Sequence, residues 1–291
     1  MHTLSTLKIA LIGGGNMARG LIGGLLGHGA TAARIIVSDP FDAARQALER
    51  DYGVRTTDDS LAAASHADVV VLAVKPQLMG PVARELAAAL SQLPLVISVA
   101  AGIRASDLQR WLGPGIPVVR AMPNRPALIG AGASGLYAGE EVSDAHRALA
   151  EQVLSATGLC MWVESEADLD LVTALSGSGP AYFFRLAELM AEAAVAQGLE
   201  PVTARQLAAQ TLAGAGQLVA AEMAADQGHS PGEKPAIDLA RMRAEVTSKG
   251  GTTEAALAVF DSRGLGAMVA AAQAAAARRS EELAEQFGAA G

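Results

Sequence analysis

Hydroxyls, one cation and paired glycines crowd into Val246-Thr247-Ser248-Lys249-Gly250-Gly251-Thr252-Thr253, a mixture suited to holding a small anion. Adjacent glycines lack Cβ atoms and let backbone N–H groups approach a ligand closely. They run into Glu254-Ala255-Ala256-Leu257-Ala258-Val259-Phe260, whose apolar residues recur at helical spacing. Unpaired N–H groups at a helix start attract a carboxylate. Thr252 or Thr253 adds a hydroxyl that either caps the helix or donates to the same anion. An ordinary capped turn accounts for the local pattern equally well.

A second constellation lies near the start of the chain. Gly13-Gly14-Gly15-Asn16-Met17-Ala18 fits the G-x-G-x-x-G/A fingerprint for a dinucleotide, directly after an apolar run and directly before a helical pattern. Gly13 permits the tight turn, Gly15 admits the pyrophosphate to the backbone, and Ala18 allows close helix–sheet contact. Val37-Ser38-Asp39-Pro40 ends the next apolar run. There Asp39 is placed either to accept the ribose 2′-hydroxyl of NAD, repelling a 2′-phosphate, or to cap the following helix. No arginine follows immediately, and Arg45 is the cation that could reach a 2′-phosphate.

Three further motifs carry polar groups. Ala73-Val74-Lys75-Pro76-Gln77 ends a strand where open α/β sheets bind ligands, with Lys75 either beside the cofactor or simply solvated. Met122-Pro123-Asn124-Arg125-Pro126 ends another, and Asn124 can hydrogen-bond a carboxamide or water. Ser176-Gly177-Ser178-Gly179-Pro180-Ala181-Tyr182 opens a long helix and reads as a second anion site or as a plain N-terminal turn. No G-x-S-x-G, P-loop or H-E-x-x-H motif occurs, so hydrolase, phosphotransferase and zinc-protease readings lack their signals. His229 has no partner at metal-ligand spacing, and no metal site is expected.

The elements that must position these residues follow from periodicity. Apolar runs at Lys8 to Ile12, Ile35 to Ser38, Val69 to Val74, Leu95 to Val99, Val118 to Ala121 and Leu159 to Val163 read as strands. Helical patterns fall between them at Met17 to Leu26, Ala43 to Arg50, Val82 to Leu90, Ser106 to Leu112 and Ala145 to Ala156. This alternation predicts an α/β class, with a mostly parallel sheet covered by helices on both faces. After about Val163 the pattern turns helical, at Gly179 to Ala196, Pro201 to Ala225 and Leu265 to Gln286. Two domains are therefore expected, 1–163 for the dinucleotide and 164–291 all-helical. Asp226 to Pro235 reads as an exposed loop. The alanine run 270–277 reads as a closely packed helix face.

Composition bounds the partners. The chain of 291 residues is 51% hydrophobic but only 3% aromatic, so its interior is built from Ala, Val, Leu and Ile, and such helices often pack against a partner subunit. A net charge of −8 argues against nucleic acid or an anionic membrane as the main partner. Local donors must then hold any anionic ligand. Cys160 lies in an apolar run and reads as a buried small hydrophobe. The N-terminal residues lack a signal-peptide pattern, and no stretch reaches the roughly 20 apolar residues of a membrane span, so a cytoplasmic location is expected.

Five motifs in order, at Gly13 to Met17, Val74 to Gln77, Met122 to Asn124, Ser176 to Tyr182 and Val246 to Thr253, make the chain resemble the pyrroline-5-carboxylate reductases over nearly its whole length. The resemblance implies an N-terminal Rossmann-like domain and a helical C-terminal domain that binds substrate and dimerises. It further implies a homodimer assembled into a larger ring, a decamer, and hydride transfer from NAD(P)H to 1-pyrroline-5-carboxylate, giving L-proline. NADP(H) is favoured, with NAD(H) the alternative that Asp39 argues for. Gly13, Gly15, Asn16, Met17, Ser38, Asp39, Ala73, Val74, Lys75, Pro76 and Asn124 would then bind cofactor. Ser248, Lys249, Gly250, Gly251, Thr252, Thr253 and Ser178 would bind substrate, with Thr253 near the ring nitrogen. An imine accepts hydride far better when protonated or hydrogen-bonded at nitrogen, which makes Thr253 the candidate catalytic donor.

The chain departs from the family pattern at three places. Lys249 replaces the usual proline of Ser-Pro-Gly-Gly, Arg125 replaces the threonine of Met-Pro-Asn-Thr-Pro, and the region from Asp226 to Ile237 is longer. Two other readings compete. A 3-hydroxyacid dehydrogenase needs a base, often a lysine on an interdomain helix, whereas the helix from Gly179 carries Arg185, Glu188 and Glu192 but no lysine. A dinucleotide sensor that only dimerises leaves the Ser248 to Thr253 loop without a purpose.

Overall fold

The computed structural model describes residues 3–225 and 237–290; the stretch Asp226 to Pro235, with His229, lies outside them. Two compact units form. The first comprises residues 1–180 and 273–291, and the second residues 181–272. The division thus falls inside a long helix, and the last part of the chain returns to the first unit, whereas the change from strand to helix patterning lies near residue 163.

The first unit is an open sheet of β1 (Ile9–Ile12), β2 (Ile35–Ser38), β3 (Arg55–Thr57), β4 (Val69–Leu72), β5 (Leu95–Ser98), β6 (Val118–Met122), β7 (Gly132–Ala138) and β8 (Gly158–Trp162), in the order β3-β2-β1-β4-β5-β6-β7-β8. All pairings are parallel except β6–β7. The helices are α1 (Asn16–Gly27), α2 (Asp42–Tyr52), α3 (Ser60–Ala64), α4 (Pro76–Leu86), α5 (Ala105–Leu112), α6 (Asp144–Leu154) and α7 (Asp168–Val172). Alternate strand residues feed two separate cores. Ile9, Leu11, Val37, Val71, Ile97 and Val119 pack with Ile22 and Leu25 of α1, Leu48 of α2 and Val153 of α6. Ala10, Ile12, Val70, Leu72, Val96 and Val118 pack with Met79 and Leu86 of α4 and Leu108 of α5. Burial on both faces explains why these strands read as unbroken apolar runs.

Differences from the sequence reading have local causes. β3 is only three residues, polar and partly exposed, and β7 contains two glycines, so neither shows an apolar run. The helix expected from Val82 starts at Pro76, because proline at the first helical position forfeits only an N–H that has no intrahelical partner. Cys160 is half-buried, at the rim of the first core.

Two features tie the first unit together. Arg120, almost fully buried on β6, pairs with Glu166 at 2.8 Å, and Glu166 also accepts the Ala105 N–H at the start of α5 at 2.6 Å. Asp170 accepts the Ser280 hydroxyl at 2.6 Å and lies 3.5 Å from Arg104. The Ser280 bond holds the C-terminal part of α12 (Leu265–Ala290) to the sheet unit, with Arg110 donating to the Gly288 carbonyl.

The second unit consists of most of α8 (Gly179–Ala196), then α9 (Pro201–Ala225), α10 (Leu239–Glu245), α11 (Thr252–Ser262) and the first part of α12. Few of its side chains are buried by the chain itself: Phe183, Phe184, Leu207, Leu218 and Met268 are exposed, and of the alanine run 270–277 only Ala277 is buried. So much apolar surface on one unit marks a protein interface. Among the described residues no single helix is long and apolar enough to cross a membrane.

Two outcomes follow. A Cβ at Gly24 of α1 would stand 2.1 Å from the Ala156 carbonyl oxygen. Gly24→Ala gains roughly 1 kcal/mol in helix propensity but forces two backbones apart, and it should lose about 2 kcal/mol or more, read as a lower denaturation midpoint. Burial, assisted by the charge of Glu151, pushes the Cys160 thiol up from 9.0 to about 11. A raised thiol pKa favours the neutral form, so below pH 9 Cys160 should hold ~100-fold less thiolate than an ordinary cysteine. Its alkylation should be slow at neutral pH and accelerate toward pH 11.

Candidate functional site

The dinucleotide fingerprint forms the turn from β1 into α1. Gly13 has φ +104°, and a Cβ there would lie 2.7 Å from the Ala73 carbonyl oxygen, so only glycine fits. Its N–H donates to the Ser38 carbonyl at 2.8 Å. Gly15 is the N-cap of α1, and the space beside its Cα is open. No side chain caps α1, which leaves the N–H groups of Asn16 and Met17 unpaired at the positive end of the helix. Ala18 is buried against the sheet. Beneath the turn, Met17, Ala18, Leu21, Ala73, Val99 and Pro123 line a small internal cavity of about 10 Å³, room for one water. An open glycine turn followed by free helix amides fits the phosphates of a dinucleotide.

Around this turn the remaining expected residues take distinct places. Ser38 is buried, with its hydroxyl 2.9 Å from that of Ser60. Asp39 is 8% exposed; its carboxylate accepts the Gly14 N–H at 2.8 Å and the Phe41 N–H at 2.9 Å. Both oxygens thus face backbone donors, and the N-cap of α2 is Phe41. Ala73 donates to the Ile12 carbonyl at 2.8 Å, while Val74 packs against the second core. Lys75 is the exposed N-cap of α4, followed by Pro76 in its first turn. Asn124 is turned inward, donating to the Ser176 carbonyl at 3.0 Å and accepting the Ala133 N–H at 2.9 Å. It joins the end of β6 to β7 and to the Ser176 turn. Ser60 and Thr57, whose carbonyl accepts the Asp39 N–H at 3.1 Å, were missed from sequence because β3 and α3 are too short to show periodicity.

The Ser176 to Tyr182 motif is no simple helix start. Residues Thr173–Gly177 form a π-helical turn between α7 and α8, and the Ser178 N–H is spent on the Thr173 carbonyl at 2.8 Å. Pi-helical turns recur at functional sites. Pro180 lies in the first turn of α8.

In the second unit, Ser248 to Thr253 forms a tight turn into α11. Gly250 takes φ +72°. The Gly251 N–H donates to the Ser248 carbonyl at 2.9 Å, and the Gly250 N–H donates to the Glu254 carboxylate at 2.6 Å. Gly251 is the N-cap, with no side-chain cap bond. The N–H groups of Thr252 and Thr253 are therefore unpaired at the helix start, beside the hydroxyls of the same residues. Ser248 and Lys249 are exposed on the turn. Among the described residues no three His, Cys, Asp or Glu side chains are grouped as a metal site.

The chain matches known proteins along nearly its whole length. Residues 166–283 match the family model described as pyrroline-5-carboxylate reductase dimerisation, and residues 8–102 match that of NADP oxidoreductase, coenzyme F420-dependent. The chain is 46% identical to a pyrroline-5-carboxylate reductase of Pseudomonas aeruginosa over 98% of its own length and 100% of that protein. A solved pyrroline-5-carboxylate reductase from Coxiella burnetii shares 42% identity and a TM-score of 0.85, covering 96% of this chain and 98% of that one. A Plasmodium falciparum pyrroline carboxylate reductase with NADP bound shares the fold at 24% identity and a TM-score of 0.77, covering 96% and 99%. The dimerisation model spans the helices whose apolar side chains the single chain leaves exposed, which makes the protein a homo-oligomer. With a glycine turn and helix start in one unit, a second uncapped helix start with paired threonines in the other, and relatives at up to 46% identity along its whole length, the chain belongs to the pyrroline-5-carboxylate reductase family.

Proposed function

We propose that the chain reduces 1-pyrroline-5-carboxylate to L-proline with NADPH, the last step of proline biosynthesis. NADH serves as the poorer donor. The observation that carries this reading is the start of α11: two unpaired amides and two threonine hydroxyls after a glycine turn, donors suited to one small carboxylate. Membership of the family supplies the substrate.

The bound cofactor supplies a hydride to the C=N carbon. The chain's own part is to bind and orient the substrate and to hydrogen-bond its ring nitrogen, whose proton comes from solvent. The amides of Thr252 and Thr253, with Ser248, Lys249, Gly250 and Gly251 around them, hold the substrate carboxylate by backbone dipole and hydroxyl donors. Ser178 contributes its hydroxyl. The Thr253 hydroxyl hydrogen-bonds the ring nitrogen, favouring the iminium that accepts hydride; the nitrogen then keeps its proton as the secondary amine of proline. Orientation accounts for most of the acceleration. Gly13, Gly15, Asn16, Met17, Ser38, Asp39, Ala73, Val74, Lys75, Pro76 and Asn124 are assigned to the cofactor side, with Ser38, Asp39 and Asn124 acting through the backbone they brace. We assign residues 1–163 to the dinucleotide and 164–291 to substrate binding and dimerisation. The homodimer assembles into a decamer, in the cytoplasm, and its net charge of −8 suits a small-molecule partner better than nucleic acid.

Absorbance assays with 1-pyrroline-5-carboxylate should show imine-dependent oxidation of both cofactors, with kcat/KM higher for NADPH. Turnover of a 3-hydroxyacid with NADP+ in place of the imine would reject the assignment. Thr253→Ala should lower kcat by roughly 10- to 100-fold, as for loss of one general-acid contact, and unchanged kinetics would remove Thr253 from the mechanism.

A further inference from the structure

An acid at the end of the second strand is ordinarily placed to accept the ribose 2′-hydroxyl and to exclude a 2′-phosphate. In this chain it points elsewhere. Asp39 Oδ2 accepts the N–H of Gly14, inside the glycine turn, at 2.8 Å, and Oδ1 accepts the N–H of Phe41 at 2.9 Å. Its own N–H and carbonyl are also engaged, the first with the Thr57 carbonyl at 3.1 Å and the second with Arg45 at 2.8 Å. The turn is pressed onto the carboxylate: a Cβ at Gly14 would lie 3.2 Å from Oδ2 and 2.8 Å from Leu48. At 8% exposure Asp39 offers little to a ligand, whereas Phe41, two residues on, is 72% exposed.

We propose that Asp39 is a positioning residue that pins the glycine turn, and that it does not select against a 2′-phosphate. Two amide donors converge on its two oxygens, so the carboxylate is satisfied by backbone dipoles and turned inward. The carboxylate is needed in that role because both its oxygens accept; an asparagine would set an NH2 group against one of the two N–H donors. This resolves the opposition between an acid that argues for NADH and a family that matches an NADP oxidoreductase model. The inference rests on the dinucleotide reading of the Gly13 turn.

The test is Asp39→Asn in the full-length protein, with Kd for NADPH and NADH from fluorescence titration and steady-state kinetics against each cofactor. Pinning predicts that both Kd values rise together, about tenfold or more, on the scale of hydrogen bonds to a charged group. Their ratio should stay within about twofold, and KM for both cofactors should rise by a larger factor than kcat falls. A ratio shifted tenfold toward NADPH makes Asp39 a selector and overturns the proposal. So do unchanged Kd values, or a fall in kcat with cofactor KM unchanged, the mark of simple loss of folded protein. Amide hydrogen exchange on the unsubstituted protein decides the matter even if the variant fails to fold: Gly14 and Phe41 should be protected and Gly15 not, and fast exchange at Gly14 sinks the latch. If the unsubstituted protein binds neither cofactor while Gly14 is protected, the dinucleotide reading fails and the latch stands.

Discussion

At Gly13 the backbone leaving β1 passes so near the carbonyl of Ala73 that a single added carbon would collide with it. That approach follows from parallel pairing of β1 with β4, which sets Ile12 beside Leu72 and carries both strands to the same edge. Because the turn is held so low on the sheet, α1 starts directly above the strand ends, with unpaired amides at its positive pole. The rest of the first unit supports this arrangement. Ala18, Ile22 and Leu25 seat α1 on the sheet, Gly24 lets it lie against the backbone at Ala156, and Asp39 fastens Gly14 from the neighbouring strand.

A chain with net charge −8 that must hold anionic ligands relies on backbone dipoles more than on cations. Both candidate sites use the same device: a glycine before an uncapped helix, so that no side chain competes for the first amides. They differ in what is supplied beside the amides. The first offers open space beside Gly15, suited to a phosphate pressed against backbone, and the second offers hydroxyls and Lys249, suited to a compact carboxylate. Most of the charged side chains around the first turn are spent on one another or on backbone, as with Arg45 on Asp39 and Asp42.

The helical unit shows how composition anticipates assembly. Few aromatics and many alanines favour short interhelical distances, yet α8 and α9 leave Phe183, Phe184, Leu207 and Leu218 exposed when the chain stands alone. Such a surface is consistent with a unit completed by association, in line with the dimerisation model that spans it.

The order of motifs and the long periodic elements were written in the sequence. Alternating apolar runs with helical patterns between them dictated the parallel sheet, and glycines at positions 13, 15, 250 and 251 marked the turns, because these signals are local in the chain. Short or polar elements were invisible: β3 and α3 span three and five residues, too few for a period to emerge. The direction in which a polar side chain points was equally hidden. Asp39 read as a ribose acceptor or a helix cap and Asn124 as a donor to a carboxamide or water, and the folded chain turns both toward other backbone partners. The Ser176 turn read as a free helix start, and the fold spends its amide in a π turn. Residue type and spacing determine which groups are available. Only tertiary structure decides which of them are already satisfied, because their partners lie up to 52 residues away along the chain and a buried donor or acceptor must be paired before it can serve a ligand.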